Sequence, residues 1–261
     1  MFMQFRFIFG LYLTWHFLSL ISYADELFGD KMPFDPKLGP TYHIFPNILN
    51  HVDAQSFLVF LSVVSISFTF GVYHQICSII LWYGWASLLN RNVLIYNPGI
   101  PYVGWLLIAM SVIPNNDDSK MSIAIYWVAW LLMGLGYTIS GIHKLNCVSW
   151  INGSALRHIL NSPLARDNFL RNFLLDAPEI VLRMATWSSL ALEILFLPLG
   201  MFYHIRFYFW LAFIGFHLGV ITLINFTDLT IGVLTIHIFT FDPRWLPKGF
   251  VKGFTKTMKI D

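Results

Sequence analysis

Long apolar runs, interrupted at intervals by polar or turn-forming residues, dominate the chain. Residues 1–23 carry one arginine, Arg6, and then run through Phe7-Ile8-Phe9-Gly10-Leu11-Tyr12-Leu13. This is the pattern of a first span over 5–23, or of a signal peptide, since Ser22-Tyr23-Ala24 resembles a small-x-small cleavage site. Trp15 and His16 in the middle of the run favour the span. Residues 25–54 hold five acidic residues, two lysines and Pro33, Pro36, Pro40 and Pro46, the composition of a loop outside the bilayer. The shortage of lysine favours its non-cytoplasmic side.

Residues 56–89 form an apolar run of 34 residues punctuated at Gly71, His74 and Gln75. A single crossing needs about 20, so the run predicts a helical hairpin. Arg91-Asn92 and Asn97-Pro98-Gly99 break the pattern, residues 100–113 resume it, and Pro114-Asn115-Asn116-Asp117-Asp118-Ser119 ends it. Further spans are expected at 122–143, 180–199, 205–224 and, shorter, at 229–241. Between the fifth and sixth lies a charged, amphipathic connection at 146–178. Within it, residues 164–175 set Leu164, Phe169, Leu170, Phe173 and Leu174 against Arg166, Asp167, Arg171 and Asn172, the pattern of an interfacial helix. Unpaired strand backbone cannot sit in lipid. The expected fold is therefore all-α: a polytopic integral membrane helical bundle of about eight transmembrane helices plus an interfacial amphipathic helix, in one domain over 1–261. Eight crossings put both termini on one side. Arg244, Lys248, Lys252, Lys256 and Lys259 make that side cytoplasmic, in a plasma or inner membrane. Arg157, Arg166 and Arg171 in the connection pull against this orientation.

Composition sharpens the picture. Of 261 residues, 57% are apolar and 11% charged, against roughly 45–50% and 25% in soluble domains, which rules out a sizeable soluble domain. A net charge of +2, with scattered basic residues, gives no footprint for nucleic acid. Cys77 and Cys147 form no C-x-x-C motif, and two free thiols are the expectation.

Ionisable side chains at membrane depth are costly and mark candidate chemistry. Here they are His16, His74, His143, Lys144, Glu193, His217 and His237. No H-x-x-x-H, H-E-x-x-H or Glu-x-x-His is present, so no metal is expected, and G-x-S-x-G is missing too. The densest constellation is Gly134-Leu135-Gly136-Tyr137-Thr138-Ile139-Ser140-Gly141-Ile142-His143-Lys144-Leu145, followed by Trp150-Ile151-Asn152-Gly153-Ser154-Ala155-Leu156. Gly136 and Ser140 have the small-xxx-small spacing of closely packed helices. Lys144 follows Ser140 by one turn on the same face. It either snorkels to the headgroups or is carried inward, where desolvation favours the neutral amine and lets it act as a base. His143 points about 100° away from it. An unpaired Glu193 carboxylate is costly in mid-helix, so Glu193 is protonated or paired with Arg183, Lys144 or a histidine, as a structural clamp or a proton relay. His217 and His237 lie on different predicted helices. Asp228, beside Asn225 and Thr227, reads as a helix cap.

Ser140-Gly141-Ile142-His143-Lys144-Leu145, with Trp150 and Gly153-Ser154-Ala155-Leu156, resembles the signature of the horizontally transferred transmembrane (HTTM) family, whose best-known member is the vitamin K-dependent gamma-carboxylase. Other stretches agree in order over roughly residues 55 to 247. They are Trp85-Ala86-Ser87-Leu88 with Arg91-Asn92, Leu192-Glu193 ahead of Pro198, Phe216-His217-Leu218, and Ile231-Gly232 before Asp242-Pro243-Arg244-Trp245. The resemblance implies that Lys144 matches the amine that deprotonates reduced vitamin K. The family's carbanion-stabilising histidine belongs near Asn97-Pro98-Gly99-Ile100-Pro101-Tyr102, where no histidine stands. Ending at Asp261, the chain is also expected to lack the lumenal region that binds the carboxylase's protein substrate, so gamma-glutamyl carboxylation itself is not expected.

Two functions follow as expectations. The first is a membrane-embedded enzyme or redox partner, acting on a reduced quinone or another lipid-soluble molecule. Lys144 is its base, Glu193 and His217 are its proton-relay groups, and Ser140, His143, Trp150 and Arg91 contact the ligand in an apolar pocket. The second is a non-catalytic membrane subunit that helps mature, export or resist a peptide, or that scaffolds a partner enzyme. A transporter would show a repeated half or paired broken helices, and neither is visible. Membrane lipids are partners in every case, and nucleic acid in none.

Overall fold

The computed structural model describes residues 2–29, 32, 35–39, 43–114 and 122–245. Residues 115–119, where the sequence leads one to expect a turn, and the lysines at 248, 252, 256 and 259 lie outside them. Among the described residues every regular element is helical, with one isolated antiparallel bridge between Ala165 and Ile224. The chain divides into two compact units, Met1–Ile123 and Ala124–Trp245.

The first unit holds α1 (Phe2–Leu20), a short α2 (Ala24–Phe28), α3 (Ala54–Phe70), α4 (His74–Arg91) and α5 (Gly99–Val112). A 3-10 turn at Ile21–Tyr23 joins α1 to α2, so helical structure reaches Phe28 instead of stopping at residue 23. Residues 56–89 do form a hairpin. α3 starts on Asp53, whose carboxylate caps the Ser56 N–H at 2.8 Å, and ends at Gly71, which takes the left-handed φ of +81° that terminates helices. Gly10 and Gly84 let neighbouring helices close up. A β-carbon on Gly10 would lie 2.8 Å from the Thr69 Cα, and one on Gly84 would meet the Leu61 side chain. Polar contacts complete the unit: Asn47 donates to the Ser87 carbonyl and to Asn90, and Trp85 to the Ile100 carbonyl.

The second unit consists of α6 (Ile123–Lys144), three short helices in the connection, α7 (Val148–Ile151), α8 (Ala155–Leu160) and α9 (Phe169–Asp176), and then α10 (Glu179–Gly200), α11 (Tyr203–Leu223) and α12 (Thr227–Phe239). The interfacial segment expected at 164–175 is helical only from Phe169, because Asn168 caps α9 through the Arg171 N–H and the stretch before it runs irregularly past Ile224. Asp228 is not the N-cap of α12. Phe226 holds that position, and Asp228 lies in the first turn.

Among the described residues, four helical segments are long and apolar enough to cross a membrane: Phe2–Phe28, Ile123–Lys144, Glu179–Gly200 and Tyr203–Leu223. Their outward faces carry large exposed apolar side chains, among them Leu11, Leu131, Leu195 and Leu211. Apolar surface on that scale is stable only against lipid or a partner, which marks a membrane protein. Cys77 and Cys147 are both free thiols.

Candidate functional site

The chemistry gathers on one face of α6. Tyr137, Gly141 and Lys144 recur at i, i+4 and i+7 and so point the same way. Gly141 brings this face against α10: a β-carbon there would lie 2.9 Å from the Ile194 nitrogen and 3.0 Å from the Glu193 Cβ. Gly134, two turns earlier, meets Leu197 in the same manner. The small-xxx-small pair expected at Gly136 and Ser140 does not make this contact. Gly136 is exposed and Ser140 half-buried, because both are rotated away from the Gly134–Gly141 stripe.

Close approach puts the Lys144 amine between both oxygens of Glu193, each 2.5 Å away. Glu193 is 3% exposed, while 23% of the Lys144 side chain remains accessible. Lys144 therefore neither snorkels freely nor is sealed off. Arg183, the alternative partner for Glu193, pairs with Glu179 one turn away. The Trp150 ring covers the amine at 4.5 Å, a cation–π contact.

The loop that carries Trp150 is held on α10. Trp187 donates to the Ile151 carbonyl at 2.9 Å, the Leu156 N–H reaches the Thr186 hydroxyl, and Gly153 takes a φ of +81° as it packs against Arg183 and Trp187. A side chain at Gly153 would be strained as well as crowded.

Beside Glu193 the α10 backbone is opened. Pro198 has no N–H to offer the Ile194 carbonyl one turn back. Thr138 of α6 fills this break: its hydroxyl lies 3.3 Å from the Ile194 oxygen and 3.2 Å from the Glu193 oxygen, and it accepts from the Leu197 N–H at 3.1 Å. One side chain from α6 thus satisfies the part of α10 that presents the carboxylate.

His217 of α11 and His237 of α12 converge. Each places its Nε2 2.7 Å from the Tyr137 hydroxyl. His217 is 4% exposed and His237 is fully buried. Around the three polar groups pack Phe196 and Phe213, the latter with its ring centroid 3.9 Å from that of Tyr137. The Nδ1 atoms of both histidines are buried without a hydrogen-bond partner among the described residues. Lys144 stands two turns beyond Tyr137 on the same face of α6, so the triad and the ion pair share that face.

Other expected site residues fall elsewhere. His143 is exposed and lies off the Tyr137–Gly141–Lys144 stripe. Arg91 belongs to the first unit, where its Nε donates to the Phe28 carbonyl at 2.9 Å. An open groove of about 620 Å³ in that unit is lined by Met3, Gln4, Arg6, Phe7, Thr69 and Phe70 among others. No cluster of three or more His, Cys, Asp or Glu side chains is assembled among the described residues. Tyr137 and Thr138 were not among the expected site residues. Their signal in the sequence is only that each is a hydroxyl inside an apolar helix, one of them on the Lys144 face. The chain matches no family model, no curated protein and no solved structure.

Proposed function

We propose that this is a multi-pass membrane protein of HTTM type, akin to the membrane part of the vitamin K-dependent gamma-carboxylase, in which Lys144 and Glu193 exchange a proton with a lipid-soluble, quinone-like molecule. α3, α4, α5 and α12 join the four longer helical segments to make eight crossings, with both termini cytoplasmic. α9 lies along one membrane face, consistent with its exposed Phe169 and Phe173 and with the absence of any buried residue in it.

The observation that carries this reading is the Lys144–Glu193 pair beneath Trp150. In a medium of low dielectric an amine and a carboxylate in contact hold one proton between them, as an ion pair or as amine and acid. When the proton sits on Glu193, the Lys144 amine is a base that accepts a proton from an acidic hydroxyl beside it. When it returns, Lys144 is an acid. Trp150 supplies a flat aromatic face and Lys144 a single polar contact, a combination that suits an aromatic guest bearing oxygen. Gly141 and Thr138 position the couple and do not themselves react.

The test uses menadiol, a chain-free reduced naphthoquinone, titrated into the purified chain in phosphatidylcholine nanodiscs. Saturable quenching of tryptophan emission is expected, lost in Trp150→Phe and at least about tenfold weaker in Lys144→Met, the loss of roughly 1.4 kcal/mol of binding. Equal affinity in Lys144→Met would sink the proposal.

A further inference from the structure

We infer that His217, Tyr137 and His237 form a one-proton relay, set beside the Lys144–Glu193 couple and running from the Lys144 side to His237 deep among α6, α11 and α12. As a path for protons to and from Lys144, the relay rests on the function proposed above. Its internal logic does not.

A phenol carries one proton. With both Nε2 atoms 2.7 Å from the Tyr137 oxygen, Tyr137 donates to one imidazole and accepts from the other. The two neutral rings must then hold opposite tautomers. One ring has its proton on Nδ1 and offers Nε2 as acceptor. The other has its proton on Nε2 and keeps a lone pair on Nδ1. The two Nδ1 atoms, both buried and without a partner among the described residues, are therefore one donor and one acceptor, the two open ends of a hydrogen-bonded chain. Leaving a buried polar atom unmet is costly, and a role in proton transfer is one reason a fold keeps such an atom.

The transfer balances. A proton arrives at the Nδ1 lone pair of His217. The Nε2 proton of His217 passes to the Tyr137 oxygen, the Tyr137 proton passes to Nε2 of His237, and the Nδ1 proton of His237 departs. One proton enters and one leaves, no ring becomes charged at the end, and every hydrogen bond reverses direction. The product is the mirror state, which can only run backwards until it is reset. Such a device moves one proton out and later returns it. This fits chemistry that takes a proton from a molecule in one step and gives it back in another.

Besides the triad, the described residues of the helices around it carry Tyr126, His143 and Lys144 on α6, Glu179, Arg183 and Glu193 on α10, Tyr203, His204, Arg206 and Tyr208 on α11, and Asp228 on α12. Arg183 pairs with Glu179 and Arg206 donates to the Gly200 and Met201 carbonyls, whereas Lys144 shares the α6 face of Tyr137. Phe196 and Phe213 pack directly against the triad.

The test is nitrogen NMR of the full chain, 15N-labelled at histidine, in phosphatidylcholine nanodiscs, with assignments from His217→Gln and His237→Gln. Opposite tautomers at His217 and His237 are expected, with exchange between the two mirror assignments. Tyr137→Phe removes the opposition, and Lys144→Met slows the exchange about a hundredfold, within the range that a positioned proton-transfer group supplies. The same tautomer on both rings of the unsubstituted chain, or an opposition that survives Tyr137→Phe, overturns the relay. An exchange rate unchanged in Lys144→Met overturns its connection to Lys144. No menadiol is present, so failure here leaves the binding proposal standing, and failure of menadiol to bind leaves the tautomer result standing.

Discussion

Lys144→Met removes the amine and leaves a carboxylate that is 4% exposed with its principal counter-charge gone. Breaking a buried pair in this way destabilises by about 3–5 kcal/mol. Because 23% of the Lys144 side chain is accessible, solvent already screens part of the interaction, which places the expected loss near the low end, about 3 kcal/mol. For a chain of this size that corresponds to a fall in Tm of about 6–12 °C. Replacing both partners, as Lys144→Met with Glu193→Leu, leaves no stranded charge and fills a similar volume, and such swaps of buried pairs are near neutral or stabilising. The double variant is therefore expected within about 1 kcal/mol of the parent, so that the coupling in the double-mutant cycle is about 2 kcal/mol or more. Thermal unfolding in nanodiscs, followed by tryptophan emission, reads all four proteins. Strict additivity, with the double variant as unstable as the two single losses summed, would show that the pair is not an energetic unit and would remove the physical basis of the site.

Two further outcomes follow from the same geometry. Thr138→Val leaves the Leu197 N–H and the Ile194 carbonyl without the hydroxyl that serves both, an expected loss of about 1–3 kcal/mol. In a Pro198→Ala background the helix recovers its own bond at Ile194 and the same substitution does less damage, as thermal unfolding of the two pairs will show. In acid, hydrogen bonds from the Ser56 N–H and the Ser56 hydroxyl hold the Asp53 carboxyl below its ordinary value near 3.8. A depressed folded value means that the cap's contribution is complete above the unfolded value, about pH 4, and is lost as pH falls through the lower one. The Tm of the parent therefore declines below about pH 4 more steeply than that of Asp53→Asn, whose amide caps without titrating.

The helices were legible because each is written in two signals that agree, a long apolar run and a chemically specific end. The hairpin at residues 56–89 shows this. The run was too long for one helix, Gly71 was the only residue near its middle with the conformational freedom to end one, and the break occurs there. Ends that depend on tertiary bonds were less legible. α9 begins at Phe169 and not at Leu164 because Asn168 turns back to cap it, while Arg166 is drawn towards Ile224 and Thr227. Nothing local distinguishes those polar residues from others in the same amphipathic pattern. The packing stripe of α6 is hard to read for a related reason. Spacing alone offers Gly136 with Ser140, whereas the contact uses Gly134 and Gly141, two full turns apart, and only the position of α10 selects between the two sets.

The pairing of Lys144 with Glu193 was one of a few options the sequence left open, since few charges of opposite sign were available inside the apolar spans. Tyr137 had no such shortlist. Its partners lie 80 and 100 residues away, on helices whose rotation about their own axes is set by apolar packing, and a 100° rotation per residue means that a shift of one position would send either histidine elsewhere. What the sequence did contain was an inequality: more polar groups inside the spans than isolated burial can tolerate. Such groups must find one another, and the number of ways they can do so is small. The same reasoning explains why the relay and the ion pair share α6. A helix that must bury Tyr137 and Lys144 on one face minimises desolvation by turning that single face towards every neighbour that carries a polar group. The carboxylate, the two imidazoles and the hydroxyl that repairs the break at Pro198 are then all met by α6, the first three from the face that carries Tyr137 and Lys144.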